Sequence, residues 1–343
     1  MADYGCRLRH FGAALVATAV RIGTDNPRTA STVLAMTRLT THVEKYLAVR
    51  TKIRSLKTHD HYRRSIRQFA AYLGREPLLA DLTDDNLSGF LLATVQAGFC
   101  EQTANQRTKQ LRALWTWLAK RRLVDQFPTF DDLQEPEPLP EAWTDQQLHQ
   151  LFAACANQRG WIGPHLASTW WLAIHWWWLS TAERTEATMH LERSMLRLDD
   201  HMAIVPARIR KGRKKHRHYR LTPRCCELLG QMIMVPSATG LVFDSHWRDW
   251  HSIYPAYRRL IKASGLPYVR GKSGPKKLRC SVYTRIEMAG GDASKFARHS
   301  DRRVTDAYLD QLMIGAQNAG QWPPVGFDPE REPSWRNLWG RLY

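Results

Sequence analysis

The chain has 343 residues, 43% of them hydrophobic and 10% aromatic with 14 Trp. That is ample for buried cores and excludes disorder across the whole chain, and the length suggests two domains. Lys and Arg number 50 against 32 Asp and Glu, a formal charge of +18, which points to a polyanionic partner, nucleic acid first. The six cysteines, Cys6, Cys100, Cys155, Cys225, Cys226 and Cys280, show no CxxC spacing, which excludes a zinc ribbon or a disulfide scaffold and fits a reducing, cytoplasmic compartment.

Residues 1–37 lack a persistent period and read as an N-terminal extension. Arg7 and Arg9 precede an apolar run at 11–20 that loosely resembles a secretory signal. Asp3 in the leading region argues against export, so the run reads as a short accessory helix.

Residues 38–127 read as a compact helical unit. Tyr62, Ile66, Phe69, Ala70 and Leu73 fall on one helical face. Leu82-Thr83-Asp84-Asp85 is a helix start leading into Leu87, Phe90 and Leu91. Thr103 and Gln106 form a capping box before a helix whose apolar face is Leu111, Leu114, Trp115 and Leu118. The unit carries 16 Lys/Arg against 8 Asp/Glu, a density that suits contact with a phosphate backbone.

Residues 128–142 are proline-rich and acidic, as in Gln134-Glu135-Pro136-Glu137-Pro138-Leu139-Pro140, and read as an extended linker. A second domain at 143–315 opens on the capping box Thr144-Asp145-Gln146-Gln147. Its Trp-rich run at 170–179 is too short to cross a bilayer and reads as a central buried helix. Residues 203–206 and 216–221 flank a basic turn and read as a β-hairpin. From Arg208 to Arg220 there are eight Lys/Arg and no acid, and between Trp250 and Ile286 nine more and again no acid. Two such stretches suggest a basic cleft built from distant parts of the chain. The overall expectation is a mainly α chain with a small β-hairpin or sheet (α+β).

Four separated elements of this domain carry the chemistry. They are Thr181-Ala182-Glu183-Arg184 after the Trp-rich helix, Lys211 in the basic turn, Lys276-Lys277-Leu278-Arg279, and His299-Ser300 with Tyr308 nine residues after the histidine. Taken singly, each is weak: an arginine at a turn, a basic loop, a polar loop and a half-buried tyrosine are all commonplace. The residue types nevertheless suit one reaction. A phosphodiester attacked by a phenolate gains negative charge, which guanidinium groups offset with bidentate hydrogen bonds. A free phenol ionises near pH ~10, so it needs cationic company. The departing 5′-oxygen needs a proton, which an ammonium such as Lys211 can supply.

In this order and spacing the four elements resemble the tyrosine recombinase family, which includes the phage lambda integrase, over residues 39–312. The resemblance implies a helical, SAM-like core-binding domain and a catalytic domain that clamp double-stranded DNA. It implies strand breakage and rejoining through a 3′-phosphotyrosyl intermediate, without metal, ATP or other cofactor. Arg184 matches the first family arginine and Lys211 the hairpin lysine. Lys276 stands where most members have histidine, Arg279 is the arginine of the same box, His299 is the histidine before the nucleophile, and Tyr308 is the nucleophile. The cations expected on DNA are Arg63, Arg64, Arg67, Arg107 and Lys109 in the helical unit. In the second domain they are Arg208, Arg210, Arg213, Lys214, Lys215, Lys272 and Lys277.

The resemblance further implies a homo-tetramer on two recombination sites, with the tail at 316–343 docking on a neighbouring protomer. Trp335, Leu338, Trp339, Leu342 and Tyr343 share one helical face there, which its own domain could equally bury. No membrane association is expected, and a DNA enzyme of this kind belongs with the nucleoid. Three positions depart from the family pattern. Lys276 cannot act as a neutral imidazole, Arg298 replaces a glycine, and Ala187 stands where many members carry an acid. Glu186 either substitutes for that acid or faces solvent. The alternatives are a catalytically silent DNA-binding protein of the same fold and a type IB topoisomerase. The completeness of the residue set, the separate helical module and the tail favour recombination.

Overall fold

The computed structural model describes residues 36–49, 56–136, 139–210, 215–247, 250–298 and 301–318. The N-terminal accessory helix, the hairpin tip with Lys211, Arg213 and Lys214, the His299 position and the tail helix lie outside these residues. The chain divides into two compact units between Glu137 and Pro138. No described helix is long and apolar enough to cross a membrane.

The first unit contains α1 (Leu39–Val49), α2 (Leu56–Leu73), α3 (Asp84–Gln96) and α4 (Glu101–Ala119). The apolar faces read from the sequence meet in its core: Tyr62, Ile66 and Phe69 of α2 pack with Leu87 and Phe90 of α3 and with Leu111, Leu114, Trp115 and Leu118 of α4. Thr83 caps α3, its hydroxyl accepting the Asn86 N–H at 3.2 Å.

The start expected at Thr103 is not where α4 begins. The helix opens at Glu101 with Cys100 at the cap position and no side-chain cap bond, and Thr103 sits within its first turn, 3.3 Å from the Cys100 sulfur. The buried face already includes Ala104, Asn105 and Thr108. Glu101 supplies the negative charge that favours a helix N-terminus.

Much of the expected linker is bound rather than free. Asp84 accepts the Thr129 N–H at 2.9 Å and the Phe130 N–H at 3.3 Å, Trp115 Nε1 donates to the Gln126 carbonyl, and Asn105 exchanges hydrogen bonds with the Leu133 backbone. Residues 126–135 are thus part of the helical unit's surface.

The second unit contains α5 (Asp145–Ala156), a two-residue hairpin of β1 (Trp161–Ile162) and β2 (His165–Leu166), α6 (Ala167–Thr181) and α7 (Thr185–Met189). There follow β3 (Leu196–Arg197), β4 (Met202–Val205), β5 (Arg217–Arg220), α8 (Pro223–Met234) and α9 (Ile253–Ala263). The last elements are α10 (Pro275–Met288), α11 (Ala293–Ala297), α12 (Arg302–Asp306) and α13 (Gln311–Asn318). The capping box at Thr144 and Gln147 is formed in full.

The Trp-rich run is the buried axis of the unit. Trp170, Trp171, Trp176, Trp177 and Trp178 of α6 all lie in the core, and the helix packs against α5, α8, α10 and the sheet. Trp177 and Trp178 both donate to the Thr188 hydroxyl at 3.0 and 3.1 Å, which satisfies two buried indole N–H groups and pins α7 to α6.

The expected hairpin is present, and β3 joins it to make an antiparallel sheet of order β3-β4-β5. Two residues carry too little pattern for β3 to be read in advance. Ala203 pairs with Tyr219 and Val205 with Arg217. Strand alternation turns these four inward and leaves His218 and Arg220 outside.

Candidate active site

The first arginine is presented by a sharp reversal of the chain. Ala182 closes α6 in the left-handed conformation at φ +46°, a cost of about 1 kcal/mol for a residue with a Cβ. Arg184 follows as the cap residue of α7. It is half-buried, and its guanidinium makes no ion pair among the described residues.

Between them lies Glu183, a carboxylate that the sequence reading passed over. It is buried, and both of its oxygens are used: Oε1 accepts the Arg184 N–H at 2.9 Å, while Oε2 accepts Arg210 Nε at 2.8 Å and the Tyr219 hydroxyl at 2.7 Å. Burial opposes its ionisation, but Arg210 and the two other donors outweigh that and hold its pKa below the usual range. Burial and the same carboxylate push the Tyr219 hydroxyl far up, so it stays a neutral donor. Glu186 is exposed, with its carbonyl taken by His190. Of the two acids, Glu183 is the buried one and Glu186 is the one that faces solvent. An acid two residues past an apolar helix is the only sequence signal that could have found it.

α10 brings the next two residues. Pro275 opens the helix after Gly274, where Pro suits the first turn. Lys276 is exposed, and Arg279, three residues on and only 9% exposed, points to the same side. Burial disfavours the Arg279 charge, yet the Tyr283 and Tyr308 hydroxyls and Glu183 more than compensate, so its pKa is raised. Its buried Nε–H has no hydrogen-bond partner among the described residues. Lys277 turns away, paired with Glu141 at 3.1 Å and lying over the Trp143 ring.

The nucleophile candidate reaches this face. The Tyr308 ring centroid is 5.2 Å from Lys276 Nζ, 5.6 Å from Arg279 Cζ and 5.6 Å from the Tyr283 ring, which meets it edge-on. Arg217, buried on β5, donates to the Phe296 carbonyl at 2.9 Å and so ties the sheet to α11. Arg298 ends α11 in the left-handed conformation at φ +47°, where a glycine would be unstrained.

Lys276, Arg279 and Tyr308 are therefore gathered in one place, while Glu183 holds the Arg184 N–H and its charge acts on Arg279. The expected DNA cations divide into two groups. Arg63 is paired with Glu44 and Asp60, Lys109 lies near Asp132 and Glu135, Arg208 is paired with Glu192, and Lys272 with Glu141. Arg64 and Arg67 are exposed on α2. Arg107 stacks on the Phe99 ring at 3.9 Å and feels the charge of Arg64 rather than that of any acid. Lys215 is exposed, and its carbonyl accepts from Arg210.

Residues 43–122 match the family described as phage integrase, N-terminal SAM-like domain. The chain also aligns with the lambda integrase dimer bound to a COC′ core site at TM-score 0.63 and 15% identity, over 85% of this chain and 100% of that one. The chain carries the tyrosine recombinase fold. The Tn1549 transposon integrase in complex with transposon right end DNA aligns at TM-score 0.64 and 13% identity, over 83% of this chain and 98% of that one. The lambda integrase tetramer bound to a Holliday junction aligns at TM-score 0.62 and 16% identity, over 90% and 89%. No curated protein matches the sequence significantly. The resemblance read from the sequence thus holds at the level of the fold, with its mainly helical architecture and small sheet.

Proposed function

We propose that this chain is a site-specific DNA recombinase that cleaves and rejoins strands through Tyr308. The observation that carries this reading is the placement of the Tyr308 ring beside both Lys276 and Arg279 of one helix in the same chain. A silent DNA-binding protein has no use for a phenol held against two cations, and a phosphate oxygen would satisfy the buried Arg279 N–H.

In the proposed reaction Tyr308 loses its hydroxyl proton to solvent, its oxygen attacks phosphorus and the P–O5′ bond breaks. The electron pair leaves on the 5′-oxygen, which takes a proton from Lys211. Arg184 and Arg279 offset the charge on the non-bridging oxygens, with Lys276 and His299 adding positive charge. The 3′-phosphotyrosyl bond keeps the energy of the bond it replaced, and attack by a 5′-hydroxyl reverses the step. Lys276 lies in the first turn of α10, where a cation is electrostatically unfavourable by itself. A phosphate bound there would reverse that penalty.

Double-stranded DNA is the proposed partner, held electrostatically through Arg64, Arg67, Arg107 and Lys215. The lambda integrase forms dimers and tetramers on its DNA, and the same assembly on two sites is proposed here, with the protein resident on the nucleoid. A DNA substrate nicked beside the cleavage site tests the reading. Wild type should become covalently trapped and Tyr308→Phe should not, and an adduct formed by the variant refutes the assignment. Arg184→Ala should suppress trapping far more than binding. Relaxation of supercoils without pairing of sites would instead favour a topoisomerase.

A further inference from the structure

Tyr308 belongs to no helix: α12 ends at Asp306 and α13 begins at Gln311. Something must hold the four intervening residues if the phenol is to stay beside the cations. On the upstream side the buried Thr305 hydroxyl accepts the Ser294 hydroxyl at 2.8 Å. On the downstream side the holding group is Asp310, which is buried. Its N–H donates to Thr284 Oγ1 at 2.9 Å, Oδ1 accepts the Met313 N–H at 3.1 Å, and Oδ2 accepts the Ala142 N–H at 2.8 Å.

Each contact has a separate consequence. Thr284 lies on α10, five residues after Arg279 and eight after Lys276, so its bond registers the tyrosine segment against the helix that carries both cations. Met313 lies in the first turn of α13, and the carboxylate caps it. Ala142 is the odd contact, because it belongs to the end of the connector between the units. That end is itself fastened to α10: Glu141 pairs with Lys277, and the Trp143 N–H donates to Ser281 Oγ at 2.7 Å.

We propose that Asp310 is a positioning residue that fixes Tyr308 against Arg279 and Lys276 and makes that placement depend on the connector at Ala142. A path therefore runs from the chain entering the second unit to the nucleophile, through one carboxylate. This rests on the reading of Tyr308 as the nucleophile. A carboxylate suits the task because two N–H groups approach separate oxygens, whereas an amide offers a single acceptor.

The experiment uses the full-length chain and the nicked DNA substrate. Asp310→Ala should form the covalent adduct about tenfold more slowly or worse, the scale expected for a displaced reacting group, with DNA affinity preserved. Asp310→Asn should recover part of the rate. Ala142→Pro, which removes the N–H contact and leaves Asp310 in place, should slow the adduct in the same direction. The readout that separates positioning from general damage is cleavage by Tyr308→Phe protein with hydrogen peroxide, in which the peroxide oxygen replaces the phenol at phosphorus. Adding Asp310→Ala to Tyr308→Phe should leave that rate unchanged. Equal losses in both assays, or no loss in either, would overturn the positioning role, and a silent Ala142→Pro would overturn the dependence on the connector. An adduct formed by Tyr308→Phe, or no peroxide cleavage by it, would refute the nucleophile reading itself and the proposal with it.

Discussion

The guanidinium carbon of Arg279 lies 5.6 Å from the centroid of the Tyr308 ring, within one chain. Arg279 is nearly buried, so its electrostatic effect on a bound phosphate is less screened than that of a surface cation. Arg279→Ala should slow single-turnover cleavage by about 10²-fold or more, as removal of a fixed oxyanion donor does. DNA affinity, measured by titration, should change by only a few-fold.

In the proposed reaction Lys276 supplies charge rather than a neutral base. Lys276→His should therefore add a pH dependence beyond any that the parent shows. The imidazole is cationic below about pH 6.5, so cleavage by the variant should fall as pH rises through that value. A rise over the same interval would show that the position works as a base. A pH–rate profile of the two proteins decides the matter.

Glu183 and Arg210 form a pair that is almost wholly withdrawn from water. Glu183→Gln keeps the shape but strands the Arg210 charge, and breaking such a pair costs about 3 kcal/mol. Denaturant unfolding should show the loss. Adding Arg210→Met should restore part of it, since no buried charge is then left unpaired.

His175 is fully buried in the Trp-rich core, stacked on Tyr257 at 5.5 Å. Burial lowers its pKa to about 4, against about 6.5 for the unfolded chain. The unfolded state therefore binds the extra proton between pH 6.5 and 4, and folding stability should fall as pH falls across that window. The total approaches about 3 kcal/mol by pH 4. His175→Phe should flatten this part of the stability profile.

On the helical unit, Arg64, Arg67 and Arg107 pair with no carboxylate among the described residues, whereas Arg63 is held by Glu44 through two bonds. Alanine at any of the first three should weaken DNA binding and reduce the slope of log affinity against log salt by about one. Arg63→Ala should leave that slope unchanged. Titrations at several salt concentrations test the contrast.

The local sequence determined what depends on near neighbours. The apolar faces of α2, α3 and α4, the capping box at Thr144, the Trp-rich helix and the β4–β5 hairpin were all legible, because their periodicities lie within a few residues. The candidate residues Arg184, Lys276, Arg279 and Tyr308 came from the family resemblance that their order along the chain carries, not from periodicity. What needed the tertiary structure was every partnership across long separations. Glu183 looks like any surface acid until Arg210 and Tyr219, 27 and 36 residues away, fold onto it. Asp310 reads as a loop residue until Ala142, 168 residues earlier, donates to it. Arg63 and Arg64 are adjacent and chemically identical, yet only one meets a carboxylate. Charge density along a chain is a local sum, while pairing and burial are set by whichever distant surface arrives, and those decide which of these groups remain available to a phosphate.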